Sequence, residues 1–292
     1  MAMIRTLGLF FLLLYFSCTS NPFWDDKETK QLYISGVAIG ENNTTVTSVQ
    51  VWAETLDYLT NTDLNGNFII PVENTQSFVG NLSGSVNLYF FINNYKLDSA
   101  TIFFTDGLFA KSQTDFNNEG DLLAPMELRK LFSGTTTLQF SEENINIIDT
   151  LKVIVEFEFH EPVTLGTYVY QKSGEDDEVH SGLIFNPTSG NQPPVFHRYT
   201  GTDDYGNQQP DKFTYFEYNS NHDITWEYLI LPGQLDLPVG TYTVHPYILV
   251  YHDDLPEQFV QAMGGDSIFT FSRHYLNLPM GFGTDTLEIE ND

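Results

Sequence analysis

The sequence predicts an all-β protein, two β-sandwiches in one chain, and three observations predict it. Aromatic residues make up 15% of the chain, with 24 Phe and 16 Tyr against only 12 Lys plus Arg. Rings and β-branched side chains favour strands, and long basic side chains that would populate helix surfaces are scarce. The segment IDTLKVIVEFEFH (148–160) alternates with period two. Leu151, Val153, Val155, Phe157 and Phe159 share one face and Lys152, Ile154, Glu156, Glu158 and His160 the other, as a half-buried antiparallel strand requires. Short apolar runs recur along the chain between clusters of Gly, Asn, Asp and Pro. That spacing argues for sandwiches or barrels and against crossover units.

Taken in order, the chain opens with MAMIRT, carrying Arg5, and continues as LGLFFLLLYF (7–16), apolar throughout. Such a run is too short for a bilayer core, which needs about 20 residues in a helix, and has the length of the apolar region of a secretory signal. Ser17 then offers a small residue before a cut, and Cys18, the single cysteine of the chain, follows at once. One thiol builds no disulfide framework. This start resembles a bacterial lipoprotein signal. The resemblance implies removal of residues 1–17 and acylation, palmitate included, of Cys18 as the new N-terminus. Each buried methylene adds about 0.8 kcal/mol, so two or three chains hold a protein firmly. Residues 18–30 are then the lipidated cysteine and a polar tether. Thr19 rather than Asp after the cysteine implies the outer membrane of a Gram-negative bacterium.

A first sandwich domain is expected over 31–133. QLYISGVAI (31–39) is its first strand, and VTSVQVWAE (46–54) alternates, with Val49 and Val51 opposite Gln50 and Trp52. YLTNTDLNGNFIIPV (58–72) reads as two strands about a tight turn, in which Asp63 caps through its side chain and Gly66 takes positive φ. SVNLYFFIN (85–93) and DSATIFFTD (98–106) continue the series, and DLLAPMELRKLF (121–132) is a short helix or an irregular connection. Three features of 34–72 resemble the carboxypeptidase regulatory-like family: Gly36-Val37 in the opening strand, the Val49/Val51 strand, and a T-D-x-x-G-x-F-x-I hairpin at Thr62, Asp63, Gly66, Phe68 and Ile70. The resemblance implies a transthyretin-like sandwich over roughly 31–110, acting as an accessory or structural module without catalytic residues of its own.

The stretch FSGTTTLQFSEENINIID interrupts the patterning, and a second sandwich domain is expected over 134–292, with one continuous larger sandwich as the alternative. After 148–160 its strands are GTYVYQK (166–172), SGLIFNP (181–187), PVFHRYT (194–200), DKFTYFEYN (211–219), ITWEYLILP (224–232), GTYTVHPYILVYH (240–252), SIFTFSR (267–273) and TDTLEIE (284–290). Only LPEQFVQAMGG (255–265) reads as helix, with Asp254 as N-cap and Gly264 as stop.

The charge narrows the function. With 39 acids against 12 bases the chain carries −27, so phosphate backbones and anionic lipid surfaces repel it, which argues against nucleic-acid binding. All seven histidines lie at 160 or beyond: His160, His180, His197, His222, His245, His252 and His274. No H-E-x-x-H, G-x-S-x-G or G-x-x-x-x-G-K occurs. His252-Asp253-Asp254 is the best local constellation, with His245 seven residues earlier on the opposite side of a strand. Two acidic turns offer weak calcium candidates, Asp63 and Asn65 in TDLNGN and Asp203 and Asp204 in TDDYGNQQPD. The run KFTYFEYNSNHDITWEYLIL (212–231) puts Phe213 and Tyr215 on one face, Phe216 and Tyr218 on the other, and Trp226 and Tyr228 on the next strand. Together these features predict a lipid-anchored, non-enzymatic structural or interaction module of the cell envelope, with no cofactor. Two alternatives stand beside it: a surface lipoprotein binding a glycan or peptide through Trp226, Tyr228 and Tyr215, and a hydrolase with a His/Asp site in 197–254.

Overall fold

The computed structural model describes residues 31–72, 82–112, 114–140, 151–171, 178–190, 192–198, 201–202, 208–209, 211–230, 236–281 and 283–289. The leader, Cys18 and the tether lie outside them. The N-terminal half contains β1 (Leu32–Gly40), β2 (Thr44–Thr45), β3 (Gln50–Ala53), β4 (Tyr58–Asn61), β5 (Asn67–Val72), β6 (Gly84–Phe91), β7 (Asp98–Thr105), β8 (Leu108–Phe109) and β9 (Met126–Leu128). One sheet runs β2-β1-β5 with β9 parallel to β1, and the other runs β4-β3-β6-β7-β8. Ile34, Phe68 and Ile70 from the first meet Val51, Val86, Leu88, Phe90 and Ile102 from the second in one core. The Phe68 and Phe90 rings lie edge to face at 5.3 Å.

The turn at 62–66 differs from the hairpin the motif predicts. β4 pairs with β3 and β5 pairs with β1, so the two strands belong to different sheets. At Thr62 the backbone N–H still donates to Val49 O, and at Gly66 the carbonyl accepts from Ala38 N–H of the other sheet. The turn is therefore a corner between layers. Gly66 sits at φ 81°, and a Cβ there would lie 2.2 Å from the Ala38 carbonyl oxygen, so glycine is required for both reasons. The segment 121–132 is an irregular connection holding the short strand β9 rather than a helix.

The C-terminal half contains β10 (Phe132–Phe140), β11 (Leu151–Phe159), β12 (Val163–Gln171), β13 (Glu178–Ser181), β14 (Leu183–Pro187), β15 (Val195–His197), β16 (Gly201–Thr202), β17 (Gln208–Gln209), β18 (Lys212–Tyr218), β19 (Asp223–Ile230), β20 (Gly240–Pro246), β21 (Leu249–Val250) and β22 (Asp285–Ile289), with α1 (Glu257–Met263). A seven-stranded sheet, β10-β11-β19-β13-β12-β18 with β21 beside β12, packs on a four-stranded one, β15-β14-β20-β22. The alternation of 151–159 is realised in full: Leu151, Val153, Val155, Phe157 and Phe159 are all buried. The first half of the stretch that interrupts the patterning is β10, paired with β11 from Phe132↔Phe159 to Phe140↔Leu151, and residues 141–149 lie outside the described residues.

Two further expectations change. The helix begins at Glu257 behind Pro256 with no side-chain cap, so Asp254 does not cap it, while Gly264 at φ 125° ends it. SIFTFSR (267–273) is not a strand: residues there fall in the 3-10 turns Gly265–Phe269 and Arg273–Asn277. Gly264 and Gly265, both at positive φ, reverse the chain, and the turns then direct Ile268, Tyr275 and Leu278 inward. These side chains join Phe259 and Met263 of α1 in a third core that also takes Trp52 and Phe91 from the N-terminal half. Polar bonds reinforce that junction. The buried Asn94 amide donates to Phe132 O at 3.0 Å and its Oδ1 accepts from Gly281 N–H at 2.8 Å.

Candidate functional site

A groove of about 360 Å³ opens where the two halves meet. The β6–β7 connection contributes Lys96 and Leu97, the link into β10 contributes Leu131, and the corner between β11 and β12 contributes Glu161, Pro162 and Val163. The end of β18 adds Glu217 and Tyr218, and the chain after β21 adds Tyr251, His252, Asp253 and Asp254. Leu131 and Val163 are buried, whereas Lys96, Glu217, Tyr251, Asp253 and Asp254 are exposed. The result is an apolar floor under an acidic rim. Arg129 reaches Glu161 at 3.7 Å.

His252 turns inward, away from its two acidic neighbours' solvent positions. Its Nε2 lies 2.8 Å from Asn93 O, and its ring meets Phe91 edge to face at 5.2 Å. Burial holds its pKa below the usual histidine value, against the opposing pull of the Asn93 carbonyl, Asp254 and Asp253. It is a packing element of the junction. The other histidines are dispersed in the same way. His245 Nε2 lies 2.9 Å from Thr243 Oγ1, and His160 Nε2 lies 3.0 Å from Ser133 Oγ. His180 stacks on Trp226 at 4.5 Å, His197 and His245 are held below the usual value by burial, and His222 and His274 are exposed. Among the described residues no three His, Cys, Asp or Glu side chains are arranged to hold a metal.

Beside the groove, the face of β12 and β18 turned away from the sandwich core carries a file of rings, its middle members Tyr168, Phe213 and Phe271 packed against the third core. Gly166 makes it possible: a Cβ there would lie 2.6 Å from Phe213 and 2.9 Å from Tyr215, so its absence lets both rings rest on the strand. From Phe213 the file runs to Tyr168 at 5.2 Å, on to Phe271 at 5.9 Å and then to Phe196 at 5.5 Å. In the other direction it runs to Tyr215 at 5.1 Å and Tyr251 at 6.4 Å, at the groove's lip. Arg198 lies over the Tyr168 ring, 3.8 Å from its centroid. Asp211, whose side chain is 2% exposed, grips the same guanidinium through Nε at 2.8 Å and through Nη2, a bidentate, charge-assisted pair.

The aromatic residues singled out from the sequence separate here. Trp226 and Tyr228 are 3% and 1% exposed, which corrects their assignment to a binding surface. Their positions on β19 pair with Val155 and Val153 of β11 and so point into the sandwich. There Trp226 Nε1 donates to Tyr218 OH at 3.1 Å. Tyr215, on the opposite face, is 55% exposed. Sequence reasoning missed Tyr251, which is 61% exposed, and the Arg198–Asp211 pair. Tyr251 carried a signal: Pro246 interrupts the run before it, and the strand beyond ends at Val250.

Of the calcium candidates, Asp203 and Asp204 lie outside the described residues. The Asp63 carboxylate is already engaged, accepting from Asn65 N–H, Asn67 N–H and the Asn67 amide. The Asn67 side-chain bond, followed by the two backbone bonds, holds its pKa below the usual carboxylate value. Asp63 therefore caps the corner. Asp63→Ala is expected to lower the melting temperature by a few degrees, because a charge-assisted Asx-type turn is lost. Millimolar calcium is expected to leave the wild-type melting temperature unchanged; a calcium-dependent rise abolished by Asp63→Ala would refute this.

No family model matches the chain, and no curated protein matches it. Among solved structures it is similar to BcpA, the major pilin subunit of Bacillus cereus, at 13% identity and a TM-score of 0.23 over 74% of this chain and 88% of that one. A variant of the same pilin gives 12% and 0.24 over the same shares. The Bacillus anthracis TIE protein gives 9% and 0.23, with 76% of this chain covered but 48% of that one. TM-scores this low assign no role to the chain, and the regulatory-like resemblance rests on the motif in 34–72.

Proposed function

We propose that this chain is a lipid-anchored protein of the bacterial cell envelope that acts as a non-enzymatic interaction module. The observation that carries the proposal is Cys18, the only cysteine in 292 residues, placed directly behind Ser17 and the apolar run 7–16. The charge supports it. A body at −27 is repelled by anionic headgroups, so attachment to a membrane calls for a covalent lipid rather than a surface patch. The exposed ends of the aromatic file, Tyr215 and Tyr251 at one and Phe196 at the other, offer the body a contact face.

Radiolabelled palmitate tests the anchor. The full-length chain, expressed in a Gram-negative host, is expected to take up label and sediment with membranes. Cys18→Ala is expected to lose both properties. A wild-type chain that stays unlabelled overturns the proposal.

A further inference from the structure

We infer that the groove between the two sandwiches, with Tyr251 at its lip and Tyr215 next to it, is a docking site for an arginine- or lysine-bearing segment of a basic partner protein. The inference rests on the reading of the chain as an interaction module and names the chemistry of its partner.

Charge complementarity points to that occupant. Glu217, Asp253 and Asp254 line the groove together with Glu161, which Arg129 already reaches, against Lys96 and the inward-turned His252. Such a rim, over a low-dielectric floor, focuses a negative potential into the opening. A second copy of this chain is a poor occupant, since it brings its own −27. The volume of about 360 Å³ is that of a small ligand pocket. It admits one or two long side chains, not a folded element.

The protein already shows how this surface holds a cation. In the middle of the aromatic file, Arg198 lies on Tyr168 at 3.8 Å and is gripped by Asp211. A ring face for the guanidinium and a carboxylate for its donors make up that site. Tyr215 and Tyr251 repeat the ring component beside Glu217, Asp253 and Asp254, and they remain 55% and 61% exposed. Among the described residues no cation of the chain itself lies over either ring. An incoming arginine supplies the missing member of the same arrangement.

Fluorescence anisotropy with the full chain in detergent micelles tests this, using a labelled Gly-Arg-Gly-Lys-Gly-Arg-Gly peptide at about 0.15 M salt, where long-range attraction is screened. Wild type is expected to bind saturably. Asp253→Asn/Asp254→Asn, which keeps the rings, is expected to raise Kd about tenfold, and Tyr251→Ala at least severalfold. Glu156→Gln/Glu158→Gln removes the same charge from the exposed side of β11 and is expected to change Kd little. Equal weakening by both acidic double variants would show diffuse attraction and overturn the site. So would equal binding of a peptide with citrulline for arginine and norleucine for lysine, which would favour a neutral ligand. No binding by wild type also overturns it. Palmitate labelling reads the anchor independently, so either claim can fail alone.

Discussion

Replacing Phe259 with alanine is expected to cost about 3–5 kcal/mol and to split one cooperative unfolding transition into two. Phe259 lies on α1, a C-terminal element, yet its ring stacks on Trp52 of β3 at 5.4 Å and meets Phe91 of β6 edge to face at 6.0 Å. It is fully buried. Removing the ring leaves a cavity at the place where the two halves share a core, and the surrounding strands belong to sheets that cannot close over it without breaking their own registers. The bonds from Asn94 to Phe132 O and from Gly281 to Asn94 then remain as polar ties, each worth only about 1 kcal/mol net. Phe157→Ala is the matched control. Phe157 lies within the C-terminal core against Phe132 and Trp226, so its loss is expected to lower that half's stability to a similar degree without uncoupling the halves. Calorimetry on both variants decides the matter: a single transition for Phe259→Ala, shifted no more than a surface variant, would show that the third core does not couple them.

That coupling was not legible in the sequence, and the reason is general to this chain. Period-two alternation reports which faces of a strand differ, and where one face alone is buried, as on β11, it reads correctly. It fails where both faces are buried. Trp52 and Val51 point in opposite directions yet are both buried, because a helix about 200 residues later covers the second face. It also fails where small polar residues replace the contrast, as Gly134 and Thr135 to Thr137 do in β10, a strand defined by its register with β11. The corner at 62–66 shows a third limit. The Asp63 cap and the positive φ of Gly66 follow from local chemistry, and both are present, but the same turn serves a hairpin or a sheet-to-sheet corner. Which strands pair is a long-range matter. The aromatic site failed on this point too. Parity separated Phe213 and Tyr215 from Phe216 and Tyr218 correctly, yet only the pairing of β19 with β11 places Trp226 and Tyr228 in the core.

Acid is expected to destabilise the protein well above the range where carboxylates protonate, and His180 is the main cause. Its ring lies between sheet and core, stacked on Trp226 at 4.5 Å and 5.7 Å from Tyr228. Burial pushes its pKa down to about 4 from the ordinary 6.5, and the hydrogen bond to the Glu227 backbone only partly opposes this. The folded state thus binds the proton less readily than the unfolded chain. Between pH 6.5 and about 4 the unfolded chain carries more protons, so stability is fully present above 6.5 and is lost as pH falls through that window. Each unit is worth 1.36 kcal/mol, so His180 alone accounts for about 2 kcal/mol between pH 7 and pH 5. His197, His245 and His252, also held low by burial, act in the same direction. Asp63 and Asp121, whose hydrogen bonds hold them below 3.8, contribute only in a lower window, as pH falls through their folded values. His180→Gln keeps a donor for the Glu227 carbonyl and cannot titrate. Urea unfolding at both pH values is expected to show the variant losing about 2 kcal/mol less than wild type on acidification. An identical loss in the two proteins would mean that the proton goes elsewhere, and the acid sensitivity would then belong to His197, His245 and His252.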